Sequence, residues 1–307
     1  MNKLQIWLAQ TRANFLLLAV FLVAIGLAYA AKYSPEPSFN WWHASLIMLG
    51  TISAHVSVNL FNELSDHHTK IDFLTRRTPF SGGSGMLTEG QTKPAQVKFA
   101  ALLTLLVAAG IGVYFTFTAH WSIALISVVG ALTIVFYTSR LSKIVMGELF
   151  AGIALGSLVV LGAYIAMNGT PAASISEIIP LEVWLISIPP GILTALLLLL
   201  NEFPDVEADK TGGRKHLVIK FGKKASARLY TVGMLATFAI ILLLPLVGVS
   251  SFWLYLALLP LPIALKASQI AFKHGEDPEK LMPALGMNVM VVLATDLLIA
   301  IAVIIQI

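Results

Sequence analysis

Nine apolar runs follow one another along this chain, near residues 14–31, 42–63, 95–118, 121–138, 147–167, 181–203, 226–247, 250–271 and 285–306. An α-helix needs about 20 mostly apolar residues to cross a bilayer core. Such runs cannot all be buried in a water-soluble core, and composition agrees. The 307 residues are 57% hydrophobic and only 12% charged, whereas soluble domains carry about 25% charged residues. The reading is an all-α, polytopic membrane protein of nine transmembrane helices, with residues 1–307 forming one transmembrane domain. The first run lacks a small-residue cleavage site followed by a polar mature domain, so it reads as a span rather than a signal peptide. The turns "TAHW" and "GVSS" are short enough to make antiparallel hairpins of the helices they join. There is no cysteine, which excludes disulfides, thiolate metal sites and a cysteine nucleophile.

The basic residues set the orientation. If the N-terminus is on side one, every lysine and arginine of the 20 in the chain except Lys32 falls on side one. Positive charge marks the cytoplasmic face. The expectation is therefore a multi-pass protein of the cell membrane, with its N-terminus in the cytoplasm. Trp41, Trp42 and Trp253 fall near span ends, where interfacial aromatics collect.

Two similar acidic stretches end two of the runs. "LFNELSD" closes the second and "LLNEFPD" the sixth. The offset of four spans is even, so both open on the cytoplasmic side. This suggests two parallel four-helix halves, with the ninth helix added. Residues four apart share a helix face. Asn201, Asp205 and Asp209 would form one such stripe, and Asn62 and Asp66 another. Asp72 is expected just past the helix end, in a loop that curls back.

Two facing carboxylate stripes repel one another, and an unpaired buried carboxylate is costly. A divalent cation resolves both problems. Oxygen donors without thiolate or imidazole suit a hard ion, Mg²⁺ above all, held by a few carboxylates, waters and substrate phosphates. Lys70, Arg76 and Arg77 follow the first stripe. Lys210, Arg214 and Lys215 follow the second, and Lys143 lies in a third loop on the same side. Mg²⁺ ringed by such cations describes a diphosphate site. "SGGSG" at Ser81–Gly85 offers backbone N–H groups to an anion, or is simply a flexible loop. A diphosphate site at the mouth of an apolar bundle fits a ligand with an anionic head and a hydrocarbon tail, the shape of a prenyl diphosphate. The basic residues are assigned to topology and to this anion, not to a nucleic acid.

Both motifs, the helix count and "FYTSRLSKIVMGEL" (Phe136–Leu149) resemble the UbiA superfamily of intramembrane prenyltransferases. That family carries an Asn-Asp-x-x-Asp motif with a further Asp after its second helix, and Asp-x-x-x-Asp after its sixth. Glu63 stands where many members have Asp. The five-residue gap from Asp66 to Asp72, with Tyr137, Lys143, Gly147 and Glu148, is similar to the menaquinone branch, the 1,4-dihydroxy-2-naphthoate polyprenyltransferases.

The resemblance implies a Mg²⁺-dependent transfer of a polyprenyl group from its diphosphate to an aromatic quinone precursor. An allylic carbocation forms and an electron-rich ring attacks it. Within that scheme Asn62, Asp66, Asp72, Asn201, Asp205 and Asp209 hold metal. Arg76, Arg77, Lys143, Lys70, Arg214 and Lys215 hold diphosphate, and Tyr137, Glu63 and Arg12 line the cavity or take part in catalysis. The base that removes the ring proton is not assigned; a carboxylate of the first motif and the released diphosphate are the candidates. Two alternatives stay open. One is the same fold with another acceptor, such as 4-hydroxybenzoate or geranylgeranylglyceryl phosphate. The other is a secondary transporter built from two parallel repeats. "SIPPGI" at Ser187–Ile192 is expected to kink the sixth helix. His55 reads as a core or cavity-lining residue, and Asp296, inside the ninth run, is unassigned.

Overall fold

Every regular element among the described residues is helical. The computed structural model describes residues 1–34, 39–75, 77–78, 81–137 and 140–307. All nine apolar runs become helices: α1 (Ala13–Lys32), α2 (Trp41–His68), α3 (Pro94–Thr118), α4 (Ser122–Phe136), α5 (Gly147–Asn168), α6 (Leu181–Asn201), α7 (Lys223–Leu246), α8 (Phe252–His274) and α9 (Pro278–Ile304). Eight of these are long and apolar enough to span a bilayer. The helix α4, at 15 residues, rises only about 22 Å. The described residues thus carry eight helices long and apolar enough to cross a bilayer and one shorter apolar helix, where nine spans were expected.

Local chemistry sets the ends. The polar tail of α2 stays helical beyond the apolar run, because side chains close its last turn. His68 Nδ1 lies 2.6 Å from the Leu64 carbonyl, and Thr69 Oγ1 donates to Ser65 O at 2.9 Å. The start of α9 also precedes its apolar run. Asp277 caps it by accepting from the Glu279 and Lys280 amides, and Pro278 takes the first turn, where no N–H is needed.

The break expected at "SIPPGI" falls at Ser187, which divides α6 into Leu181–Ile186 and Ile188–Asn201. The carbonyl of Ser187 accepts from Ser157 Oγ at 2.8 Å. Opposite the break, α5 relaxes into a π-turn over Gly152–Ser157. A Cβ on Gly156 would lie 2.6 Å from Gly191 Cα. Only glycines allow this approach of the two backbones, as small residues do between membrane helices.

The helices close into a ring. Each packs on its neighbour in sequence, α9 returns to α1, and α1 also packs on α5. The helices that carry the motifs, α2 and α6, run in the same direction, and their C-terminal ends meet. At the opposite end Lys32 enters a polar knot. Glu182, at the start of α6, accepts from Lys32 Nζ at 2.7 Å, from Ser250 Oγ at 2.7 Å and from the hydroxyls of Tyr29 and Tyr33. Lys32 is thus an ion-pair partner tying α1 to α6, and Glu182 carries the tie on to the α7–α8 turn.

Candidate active site

The two acidic motifs line one chamber, together with Arg12, Tyr137, Glu202, Arg214 and His216. Asn62 and Asp66 reach it from the last turns of α2. Asp72 reaches it from the short helix Ile71–Leu74, after Lys70 reverses the chain with φ 62°. Asp72 therefore does lie in a segment that curls back. Over it closes the loop Ser81–Gly83. Gly83 has φ +71°, and a Cβ there would come within 2.6 Å of Asp72 Oδ1, so this position needs glycine for both space and conformation.

The second stripe differs from the expected single helix. α6 ends at Asn201, four residues form a turn, and a new helix, Val206–Thr211, begins with Asp205 as its cap. Pro204 explains the break: it has no N–H to donate, and its ring opposes the carbonyl four residues earlier. Asn201, Asp205 and Asp209 still face the same chamber.

Arg214 joins the two motifs. One guanidinium nitrogen donates to Asp209 Oδ1 at 2.9 Å, and the other to Asp66 Oδ1. Burial opposes its charge, but Asp66 and Asp209 outweigh burial and raise its pKa above the usual arginine range. The Asp209 carboxylate is also 3.2 Å from His216 Nε2. A backbone bond from Lys215 N to Ser142 O, 2.7 Å long, fastens this loop to the one after α4.

Other oxygens face the chamber unpaired. Asn62 Oδ1, Asp72 Oδ2, Asn201 Oδ1 and Asp205 Oδ1 are buried and have no hydrogen-bond partner. Burial, then Asp66 and Glu63, push Asp72 up to about 7; burial, then Asp209, push Asp205 up to about 7. Four unpaired oxygens from carboxylates and amides suit a hard divalent cation.

The remaining expected residues are placed as follows. Lys70, Lys143 and Lys215 are exposed and are absent from the chamber lining. Arg77 turns to Glu89 and Thr88. Arg76 lies outside the described residues. Glu63 is buried in a knot of its own, where it accepts from Arg12 Nε at 3.1 Å, Ser84 N at 2.7 Å, Ser84 Oγ at 2.6 Å and Gln10 Nε2 at 3.2 Å. It holds Arg12, which has φ 52° at the entry to α1, and the SGGSG loop. Tyr137, at the end of α4, lines the chamber.

A buried group comprises Glu202 and His216 of the chamber wall and Glu148 behind them, with one ligand atom from each within 4.8 Å of the others. No motif or spacing in the sequence marks His216; only the fold seats it beside Asp209. Glu148 Oε1 accepts from Leu217 N at 2.7 Å. Burial and then the neighbouring Glu148 raise the Glu202 carboxyl well above its ordinary range.

A second, apolar chamber of about 240 Å³ continues into the bundle. It shares Arg12, Asn62, Tyr137, Leu198 and Asn201 with the acidic chamber, so the two are contiguous.

This architecture has known counterparts. The UbiA prenyltransferase family profile matches residues 17–291. A 1,4-dihydroxy-2-naphthoate octaprenyltransferase of Bacillus subtilis (strain 168) is 30% identical over 233 residues, 75% of this chain and 71% of that one. The protein of the same name in Escherichia coli (strain K12) is 24% identical over 309 residues, 97% of this chain and 94% of that one. Among solved structures, an apo UbiA homolog from Aeropyrum pernix K1 aligns with a TM-score of 0.71 at 17% identity, over 95% of this chain and 98% of that one. A UbiA homolog from Archaeoglobus fulgidus bound to DMAPP and Mg²⁺ aligns with a TM-score of 0.63 at 15% identity, over 98% and 99%. These structural likenesses establish the fold, and the profile match covers both acidic motifs. The chain belongs to the UbiA prenyltransferase family.

Proposed function

We propose that this prenyltransferase moves a polyprenyl group from a prenyl diphosphate to a 1,4-dihydroxy-2-naphthoate-like acceptor, with Mg²⁺. The observation that carries the reading is the junction of the two chambers. Unpaired oxygens of both motifs open directly onto an apolar cavity through Asn62, Tyr137 and Asn201. Head and tail of an amphiphilic diphosphate have separate surroundings within one continuous space. The relatives named as naphthoate octaprenyltransferases favour that acceptor. The positive-inside bias favours the cytoplasmic side for the acidic chamber.

Asn62, Asp66, Asp72, Asn201, Asp205 and Asp209 would hold the metal. Bound Mg²⁺ would neutralise charge on the departing diphosphate. Arg12 and Arg214 face the same chamber and would grip diphosphate oxygens, Arg214 exchanging its carboxylate partners for phosphate. The carbon–oxygen bond breaks and diphosphate leaves with the electron pair. Tyr137 offers an aromatic face to the allylic cation, and the apolar wall keeps water from it. A ring carbon of the acceptor forms the new carbon–carbon bond. Aromaticity returns when that carbon loses its proton to the released diphosphate or to a carboxylate of the first motif, or loses CO₂ where it bears the carboxylate.

The test is turnover in detergent with farnesyl or geranylgeranyl diphosphate, Mg²⁺ and a panel of acceptors. The panel holds 1,4-dihydroxy-2-naphthoate, 4-hydroxybenzoate and geranylgeranylglyceryl phosphate. A prenylated naphthoate that disappears with EDTA is the expected result. Prenylation of another acceptor alone would overturn the acceptor assignment and leave the clamp standing.

A further inference from the structure

Deeper in the apolar chamber stand two buried polar groups that the reaction above does not use. His55, on α2, is 5% exposed, and its Nδ1 has no hydrogen-bond partner. Thr194, on α6, is 3% exposed, and its Oγ1 also has none. Both line the chamber. A buried polar atom left unpaired is costly, and native proteins rarely tolerate one without a ligand or water to satisfy it.

Their positions correspond. His55 precedes Asn62 by seven residues and Thr194 precedes Asn201 by seven. Seven residues are about two helical turns, so each lies on the face of its motif's asparagine and about 10 Å deeper. Both intervals are unbroken helix. Each half of the molecule therefore sends one unpaired polar group to the same depth.

Outside the two motif asparagines, three other polar groups of the wall behave differently. Thr51 Oγ1 donates to the Ile47 carbonyl at 2.9 Å and Thr133 Oγ1 to the Val129 carbonyl at 2.8 Å. These are the usual bonds of threonine within a helix. Asn59 Nδ2 donates to Thr11 O at 3.0 Å. Among the described threonines of the wall, only Thr194 lacks that local bond.

We infer that His55 and Thr194 form a second polar subsite, which binds a ring hydroxyl of the aromatic acceptor. This rests on the proposed reaction, which requires a hydroxylated aromatic acceptor within reach of the released allylic cation. The pair carries no fixed charge, so it does not suit a diphosphate. A hydrocarbon tail cannot satisfy it. A hydroxyl both donates and accepts, so it can meet an imidazole nitrogen and a threonine hydroxyl that line one chamber. Anchored there, the ring presents its remaining carbons toward the clamp, where the allylic carbon is released. His55 and Thr194 are thus positioning and specificity residues.

The experiment compares wild type with Thr194→Val, His55→Leu and the conservative His55→Asn. It measures KM for 1,4-dihydroxy-2-naphthoate, KM for the prenyl diphosphate, and inhibition by 2-naphthoate, which keeps the ring and carboxylate but has no hydroxyl. Thr194→Val and His55→Leu should each raise the acceptor KM by about tenfold, the scale of one lost hydrogen bond. The prenyl diphosphate KM and the 2-naphthoate inhibition constant should stay within about twofold, and His55→Asn should recover most of the loss. An acceptor KM unchanged in both Thr194→Val and His55→Leu would mean a trapped water only, and would overturn the subsite. An equal rise in all three constants would mean a structural role, and would overturn it too. If His55→Leu does not fold, the other two variants decide. Failure of wild type to prenylate any hydroxylated aromatic, with Mg²⁺-dependent diphosphate binding intact, would instead overturn the proposed reaction on which the subsite depends.

Discussion

Arg214 and Asp66 are ion-paired across 148 positions of sequence, and the same guanidinium holds Asp209. One cation thus links the two acidic motifs, reducing the repulsion that facing carboxylates would suffer. It also competes for the oxygens that a divalent cation needs. Removing its charge should act on the two ligands in opposite directions. In Arg214→Met, Mg²⁺ affinity should rise or hold, because a nearby positive charge is gone. The prenyl diphosphate KM should rise by about tenfold or more, because a bidentate phosphate donor is gone. Calorimetric Mg²⁺ titration and steady-state kinetics on the same preparation separate the two. A parallel loss of both would show that Arg214 only supports the fold.

Asp205 contributes an unpaired buried oxygen to the chamber. Asp205→Asn keeps the shape and removes the charge. Turnover should fall by roughly two to three orders of magnitude, the scale of losing one electrostatic group from a desolvated site. The melting temperature of the metal-free protein should hold or rise, since a poorly compensated carboxylate is gone. Asp66→Ala should also lose turnover. Full activity in either variant would remove the motifs from the reaction.

Asp72 and Asp205 are both pushed up to about 7, from an ordinary value of 3.8. A carboxyl whose folded pKa is raised costs stability as pH climbs from its unfolded value toward its folded one. The metal-free protein should therefore lose stability between about pH 4 and pH 7 as these two carboxyls ionise. Mg²⁺ needs the ionised forms, so its binding should release protons at about pH 6 and strengthen toward about pH 8. The rise in melting temperature produced by a fixed Mg²⁺ concentration should be larger at the higher of these pH values. A pH-independent rise would place the metal on other groups.

The spans and both motifs are legible in the sequence because their signals are local. Bilayer thickness dictates the length of an apolar run, and Asn-Glu-x-x-Asp brings its own chemistry. The stretch from Asn201 to Asp209 is legible in composition but not in shape, because Pro204 interrupts what spacing alone draws as one helix. Among the cations, sequence does not separate Arg214 from Arg77. Both follow an acidic stripe, yet one faces Asp66 and the other Glu89, and that difference is set by tertiary contacts. No spacing signal joins His216 to Glu148. Leu217 N reaches Glu148 across 69 positions, a contact that exists only after the first turn of α5 and the α6–α7 loop have met.

Glu63 is a motif residue held apart from the chamber that its neighbours line. It replaces the family's more common Asp, and its carboxylate is engaged by Arg12, Gln10 and the amide and hydroxyl of Ser84. The chamber lining does not include it. Glu63→Asp shortens the side chain by one methylene and should fail to hold Arg12 and the Ser84 loop together. Glu63→Gln keeps the length but removes the charge paired with the partly exposed Arg12, which should lower stability by about 2 kcal/mol, the scale of a charge-assisted hydrogen bond. Both variants should raise the prenyl diphosphate KM by loosening Arg12, and should weaken Mg²⁺ binding less than Asp205→Asn does, since no oxygen of the acidic chamber is removed. Thermal melts and Mg²⁺ titrations of the two variants check this. A loss of Mg²⁺ binding in Glu63→Gln comparable to that in Asp205→Asn would make Glu63 a metal ligand after all.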